Sequence, residues 1–390
     1  MPRPELDCML INAESGYGRN NYSWVLSRML RDFDYWRPQS CDEDKEKKIV
    51  KLKADNKAKR EKLTEERQQT ADVEKRRKID KKLQKLPEDE EIRIGLRVTV
   101  WRCKTSQRQG PGDAAYWVGM FVSSVQLGIA AIPWGFYGEW FTFLVTASGT
   151  LLAYASGALP QWFDEKSVDR KLKKAKGIFL TQGNGAEDVI LILAGKGDMD
   201  LEALAAPQRE LRGPWTTRIM SAILAVLWVC FLITIAGWGQ RTWYLLGVGM
   251  IGMLHNVGVA GIKRRPRAWG IDLQHVDTIV DGKVMEVLYL LEEKYPMAGH
   301  SLKAEFFPGD LFPREVLLWD FAKRRHVAWK DEDSPVQDDG TAVAWEMPDF
   351  YRPKGKEDDK DIPEKGEVKQ PTDAVPTVTK DVVIDVGGVV

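Results

Sequence analysis

Four long apolar runs limit what this chain can fold into. They cover residues 116–134, 140–159, 218–238 and 243–261. Each is about 20 residues, enough helix to cross a hydrocarbon core of roughly 30 Å. None holds an Asp, Glu or Lys, and the one Arg, Arg218, stands at an end. Soluble helices keep a polar stripe, so runs this long and uncharged are rare in soluble folds. The runs come in pairs, joined by short breaks at 135–139 and 239–242. The sequence therefore predicts a membrane α-helical protein. It should have four transmembrane helices in two helical hairpins, 115–162 and 215–261, with a cytosolic α/β region and a disordered C-terminal tail.

Tryptophan and basic residues refine this expectation. Trp117 and Trp134 bracket the first run, Trp140 and Trp162 the second, Trp215 and Trp238 the third, and Trp243 and Trp269 the fourth. Indole rings favour the headgroup level at both faces of a bilayer. The two breaks contain only Arg241 among basic residues. The opposite ends carry Arg102, Lys104 and Arg108, the Lys166–Lys176 cluster, Arg209 and Arg212, and Lys263, Arg264, Arg265 and Arg267. Basic flanks stay cytosolic, which puts both termini and the 163–214 loop in the cytosol of a multi-pass protein.

Whole-chain totals constrain less. The 57 basic and 57 acidic side chains cancel, so net charge points to no class of partner. A mean hydropathy of -0.34 averages greasy spans with polar flanks. Cys8, Cys41, Cys103 and Cys230 lie far apart, which indicates neither a disulfide framework nor a thiolate metal site. MPRPELDC lacks the apolar stretch of a signal peptide, so the first span is expected to direct insertion.

Outside the spans the chain divides by composition. Residues 1–41 form a cytosolic N-terminal segment: 7–13 reads as a short strand, and Ser23 is placed to cap a helix carrying Trp24, Leu26, Met29, Leu30 and Phe33. That helix should pack on the cytosolic domain, with the membrane surface as the other location. Residues 42–91 are a charged helical segment. It lacks a sustained heptad seam, so a solvated helix is expected, with a coiled-coil partner site as the lesser reading. Its acids interleave with its bases and aromatics are missing, which argues against nucleic acid. Residues 92–114 are a strand and juxtamembrane linker. Ile92, Ile94, Leu96, Val98 and Val100 share one face and Arg93, Arg97 and Thr99 the other, the pattern of a half-buried strand lying against the membrane. In the 163–214 α/β loop, 164–176 reads as a basic helix, and 177–181 and 189–194 as a hairpin about the Gly183-Asn184-Gly185 turn. Asp200 should cap the helix LEALA. These strands, with 92–100 and 7–13, are expected to build one small sheet from separated parts of the chain. The 262–330 region should hold a strand near 276–280, a helix at 283–295 ended by Pro296, a turn at 306–309 and a helix from Pro313 to Phe321. Residues 331–390 read as the tail.

The candidate sites are few. His255-Asn256 is the most polar pair within the spans, joined by Gln126 in the first, and these residues suit either a pathway or hydrogen bonding between helices. Lys171, Lys173, Lys174, Lys263, Arg264 and Arg265 flank the bilayer and could touch anionic lipid headgroups as well as fix topology. Gly195-Lys196-Gly197 lies at a strand-to-helix turn, where amides can hold phosphate, but it lacks the remaining glycines and Ser/Thr of known fingerprints. Gly149, Ala153 and Gly157, Ser124 and Gly128, and Gly249, Gly252 and Asn256 form small-residue stripes. These permit close packing within the chain or in a homo-oligomer. His275, His300 and His326 show no ligand spacing, so no catalytic, cofactor or metal residue is assigned.

Residues 126–140, 149–162, 180–205, 252–261 and 305–319 carry a resemblance. Together these motifs (QLGIAAIPWGFYGEW, GTLLAYASGALPQW, LTQGNGAEDVILILAGKGDMDLEALA, GMLHNVGVAG and EFFPGDLFPREVLLW) resemble a family of multi-pass membrane proteins of filamentous fungi with no assigned activity. The resemblance covers roughly 5–35 and 92–325 and makes 42–86 a variable insertion. It implies no active-site residue. It does imply further spans upstream, so the chain is expected to lack an N-terminal part. The leading functional expectation is a non-enzymatic membrane scaffold or interaction protein with membrane lipids and a cytosolic protein as partners. A transporter or channel subunit with Gln126, His255 and Asn256 near the path is the alternative, and a membrane-bound enzyme using the 183–200 loop is the third. The spans' lack of ionisable residues favours the first over the second, and the lack of a catalytic set disfavours the third.

Overall fold

The computed structural model describes residues 6–104, 114–159, 162, 170–206, 214–237, 242–312, 315–320 and 322–323. In chain order the elements begin with β1 (Met9–Asn12), β2 (Gly18–Asn20), α1 (Trp24–Arg31), α2 (Phe33–Trp36), α3 (Gln39–Gln69), α4 (Val73–Gln84) and β3 (Leu96–Cys103). The first apolar pair is α5 (Ala114–Tyr137) and α6 (Phe141–Gly157). Then come β4 (Lys176–Thr181), β5 (Asp188–Ala194) and α7 (Leu201–Ala205). The second apolar pair, α8 (Pro214–Ala236) and α9 (Trp243–Gly261), is followed by β6 (Leu273–Asp281), α10 (Val284–Lys294) and α11 (Ala298–Phe306).

One mixed sheet gathers these strands in the order β2-β1-β4-β5-β3-β6. Only β3 and β5 run parallel, and Val98 stands opposite Val189 in that pairing. The expected assembly from separated segments is thus observed: β3 precedes the first apolar pair, β4 and β5 lie between the pairs, and β6 follows the second. Side chains alternate along each strand, and both faces are covered. One face carries Leu10, Trp101, Ile178, Leu180, Ile190 and Ile192 against Val25, Leu26 and Met29 of α1. The other carries Ile11, Val98, Val100, Phe179 and Leu191 against Val287, Leu288 and Leu291 of α10 and Leu302 of α11. Each such aliphatic side chain, fully buried, contributes about 1.5–3 kcal/mol, so the two layers dominate the domain's stability.

Several details differ from the sequence reading. The strand runs from Leu96 to Cys103, not 92–100, and it is buried on both faces, Arg97 included. Two helices replace the single charged helix, because Asp72 starts a new one by accepting from Glu74 N–H at 2.9 Å. Within 164–176, residues 164–169 lie outside the described residues. The rest is not helical: Lys171 bridges to Met199 and Lys176 is already strand. Ser23 precedes α1 but makes no side-chain cap bond. The helix from Ala298 to Phe306 was not foreseen, and its first turn is unusual. The fully buried Glu292 carboxylate accepts from Met297 N–H at 2.8 Å and His300 N–H at 3.0 Å, satisfying two amides that a helix start leaves unpaired. A Cβ on Gly299 would lie 2.2 Å from Leu288 O, so glycine lets α10 and α11 approach. Residues 313–314 and 321 fall outside the described set. The helical stretch 315–320 turns Leu318 and Trp319 inward, and Trp319 stacks on Tyr289 at 5.2 Å. The tail 331–390 lies outside the described residues.

Among the described residues, three helices are long and apolar enough to cross a membrane: Ala114–Tyr137, Trp215–Ala236 and Trp243–Gly261. The run 140–159 yields a shorter helix, Phe141–Gly157. Its 17 residues span about 25 Å. Large apolar side chains such as Phe121, Leu151, Ile219, Leu232 and Met253 are exposed along these four helices, as lipid contact requires. The sheet domain is fastened to the end of α9. Asp32 Oδ2 accepts from Arg264 N–H at 2.9 Å, and the Arg28 guanidinium lies over Trp24 at 4.5 Å while reaching Ala260 O at 3.5 Å. Trp269 was expected to edge the fourth span at headgroup level. Instead it is buried in the sheet's core, edge-on to Trp24 at 6.4 Å.

Candidate functional site

A junction with several buried hydrogen bonds lies where the charged arm, α3 and α4, meets the sheet. Arg97 is 1% exposed. It holds Asp188 through Nη2–Oδ2 at 2.9 Å and Asp42 through Nη1–Oδ1 at 3.0 Å, and Nη1 also reaches Cys41 O at 3.5 Å. Burial alone would push the Asp42 carboxyl up. The hydrogen bond from Arg97 and the charge of Arg37 overcome that and hold it below the ordinary carboxylate value. Both Asp42 and Cys41 stand in the first turn of α3, so one guanidinium pins the arm's start to β3 and β5. Lys45 pairs with Glu187 and Lys48 with Asp281 farther along. Leu52 lies against Gly282, where a Cβ would come within 2.9 Å of it. The sequence hid this site because its parts are 55 and 91 residues apart. Only an arginine alternating with Leu96, Val98 and Val100 in a strand signalled it.

Beside Arg97, Cys41 Sγ lies 3.4 Å from His275 Nε2, and Thr278 Oγ1 bonds to both, at 3.3 Å and 2.9 Å. Trp101 meets the imidazole edge-on at 5.1 Å. Cys41 is fully buried. Burial pushes its thiol up and holds the imidazole of His275 below the usual histidine value. A nucleophilic cysteine needs the opposite, a depressed thiolate and a charged neighbour. The trio is a neutral packing contact between α3 and β6. No group of three or more His, Cys, Asp or Glu among the described residues could hold a metal ion.

The His275 environment gives a signed pH dependence. Its folded pKa lies below 6.5, so the unfolded chain takes up the proton first as pH falls. Stability is full above the unfolded value and is lost as pH drops through it towards the folded one. His300 acts in the same direction, for burial and the charge of Lys303 hold it low too. The thermal midpoint of the detergent-solubilised protein is expected to fall between about pH 7.5 and about pH 5.5. His275→Asn should shrink that fall, and a midpoint that rises on acidification contradicts the assignment.

The predicted intramembrane residues separate. Gln126 Nε2 donates to Val248 O at 2.9 Å, and Gly252 makes room for it, since a Cβ there would sit 2.9 Å from that nitrogen. His255 faces Gly119 of α5, 3.5 Å from where a Cβ would stand. Asn256 is exposed on the outside of α9 and does not join them. The glycines at 149 and 252 work as notches, for Phe231 and Gln126, whereas Gly128, Gly157 and Gly249 have no neighbour within 4 Å of an added Cβ. Of the predicted lipid contacts, Lys171, Lys173, Lys174, Lys263 and Arg265 are exposed, while Arg264 is half-buried at the Asp32 joint. The 195–197 turn is occupied by the chain itself. Asp198 Oδ2 accepts from Gly195 N–H at 2.8 Å, and Asp200 Oδ1 accepts from Glu202 and Ala203 N–H at the start of α7. Carboxylates thus fill the places an incoming phosphate would need.

At its far end the arm opens into a cleft of about 390 Å³ lined by Glu66, Gln69, Thr70, Lys75, Lys78, Ile79 and Lys82. Arg67 pairs with Asp80 at 2.6 Å across the two helices. Cys103 at the end of β3 leads into α5, and β6 begins with Leu273 soon after α9. These strand ends mark the side of the sheet nearest the apolar bundle. Along β6, α3 meets His275 and Thr278 through Cys41, then Asp281 through Lys48, then Gly282. The arm therefore leaves the sheet at the end away from the bundle. No family model, curated protein or solved structure matches this chain.

Proposed function

We propose that this is a four-span integral membrane protein whose sheet and termini face the cytosol, and that it works as a non-enzymatic scaffold presenting the α3–α4 arm to a protein partner. The observation that carries the reading is the sheet's connectivity. Strands from before, between and after the two apolar pairs are hydrogen-bonded neighbours. A bilayer cannot run between paired strands. Each apolar pair must therefore return the chain to the side it left, and the short α6 has to cross if α5 does. A helix a few ångströms shorter than the hydrocarbon core is accommodated by local thinning at modest cost. The basic flanks put that shared side in the cytosol.

The arm supports the scaffold role. It extends well beyond the residues that pin it, and every residue of α4 except Ile79 and Leu83 is exposed. The channel reading draws less support, because Gln126 is spent on a helix-to-helix bond and Asn256 faces outward. A proximity-labelling enzyme fused at the β4–β5 turn, near Asn184, should mark a reproducible cytosolic protein set that disappears when 57–85 is deleted. Labelling identical with and without the arm would remove the scaffold role. Complete release of the protein by alkaline carbonate would remove the membrane reading itself.

A further inference from the structure

Along α9 one line of residues is spaced like a coiled-coil seam. Leu246, Gly249, Met253, Asn256 and Ala260 follow one another at intervals of three, four, three and four. That is the a/d repeat by which one helix lies along another. All five are exposed, so neither the bundle nor the sheet domain covers the line. His255, which faces Gly119 of α5, lies on a different side of the helix. The apolar side chains of the line suit lipid, but Asn256 does not. It stands five residues, about 7.5 Å of rise, inside the Gly261 end of the helix. A helical Cα–Cβ bond leans toward the N-terminus, here away from the headgroups beyond Gly261 and toward the bilayer centre. Among the described residues nothing bonds to the Asn256 amide. Hydrocarbon offers it neither donor nor acceptor, which is a costly state for an amide.

The polar complementarity of this face is with itself. An amide carries both donors and an acceptor, so a second amide satisfies it. Copies in one bilayer share one orientation. A two-fold axis along the membrane normal therefore sets two α9 helices parallel, residue against like residue. Asn256 then meets Asn256, and a lone asparagine in such a seam fixes register and partner number. Two turns away Gly249 meets Gly249, which lets the two backbones come close. Within one copy Gly249 has no such use, because nothing lies within 4 Å of an added Cβ. We propose that the protein is a parallel homodimer whose two α9 helices pack along Leu246, Gly249, Met253, Asn256 and Ala260, with the two Asn256 amides hydrogen-bonded across the axis. The proposal rests on α9 crossing the bilayer and is independent of the scaffold role.

Disulfide cross-linking of two differently tagged full-length copies in the same native membranes tests it. Cys8, Cys41 and Cys103 are buried, and a Cys230→Ser background removes the exposed thiol. Met253→Cys should join the two tags on oxidation. Leu254→Cys, comparably exposed but turned away from the seam, should not. In that Met253→Cys protein, Asn256→Leu should lower the dimer association constant roughly 3- to 20-fold, the range of hydrogen bonds between helices in membranes. Asn256→Gln keeps the amide and should recover part of the loss. Gly249→Leu should also cut the linked fraction several-fold, and since a single copy has room for that side chain, its folding is not at issue. A protein that resists alkaline carbonate yet links equally at 253 and 254, links only to other proteins, or keeps its links in both Asn256→Leu and Gly249→Leu overturns the dimer and leaves the spans standing. Release by carbonate overturns both.

Discussion

Arg97→Met is expected to destabilise the sheet domain by about 3 kcal/mol, the low end of what removing one partner of a buried pair costs. The side chains nearly match in volume, so packing changes little and the loss is electrostatic. Asp188 and Asp42 would then be left beside an apolar side chain. The estimate sits at the low end because Asp188 is 24% exposed and Asp42 41%, so water repays part of the loss. Beyond the global effect there is a local one. Arg97 is the link that ties the first turn of α3 to two strands, so the arm should loosen more than the sheet does. Fluorescence-detected unfolding would report the first effect, and limited proteolysis within 39–69 the second. Asp188→Asn paired with Arg97→Met should recover part of the stability, since the stranded charge is gone. If the double substitution is no better than the single one, the cost comes from packing and not from charge.

Arg97 also shows where a sequence reading stops. Alternating Leu96, Val98 and Val100 with Arg97 and Thr99 is the usual mark of a strand with one wet face. That face is dry here because Trp36 packs on Trp101 and the first turn of α3 closes on Arg97 through Asp42, 55 residues earlier in the chain. Periodicity reports which face is apolar, not what later arrives to cover the other. The same limit explains His275, which meets Cys41 across 234 residues. Elements governed by local chemistry were legible: the Gly183 and Gly185 hairpin, both at positive φ, the Asp200 cap, and Pro296 ending α10. The helix at 298–306 was not. Its start depends on Glu292, a buried carboxylate six residues before Ala298, and on Met297 in the left-handed region, an arrangement no local propensity encodes. In the apolar bundle the sequence found the polar residues but not their partners. Whether Gln126 meets a backbone carbonyl or lines a path depends on how α5 and α9 are rotated about their axes, and apolar runs without a moment leave that open.

Removing α6 alone, residues 138–159, should abolish the fold outright, with a larger effect than any single substitution. With one crossing gone from the first pair, α5 would deliver β4 and β5 to the side of the membrane opposite β3. Val98 and Val100 would lose Val189 and Leu191 as neighbours, and β5 could no longer sit between β4 and β3. The two cores are both built across that pairing, so neither would survive in part. Removing α5 and α6 together, with a flexible linker between 104 and 170, keeps the count of crossings even. The second pair would then still insert, and the sheet could still assemble around β3 and β5. The comparison separates loss of apolar mass from loss of parity, because the larger deletion takes out more of the former and none of the latter. A glycosylation acceptor placed at the β4–β5 turn, near Asn184, reads the outcome directly. It should stay unmodified in the intact chain and in the double deletion, and become modified when α6 alone is missing. An acceptor that stays unmodified in the α6 deletion, in a protein that still runs as a sharp monodisperse peak, would mean that α6 does not cross and that the first pair returns the chain by some other route.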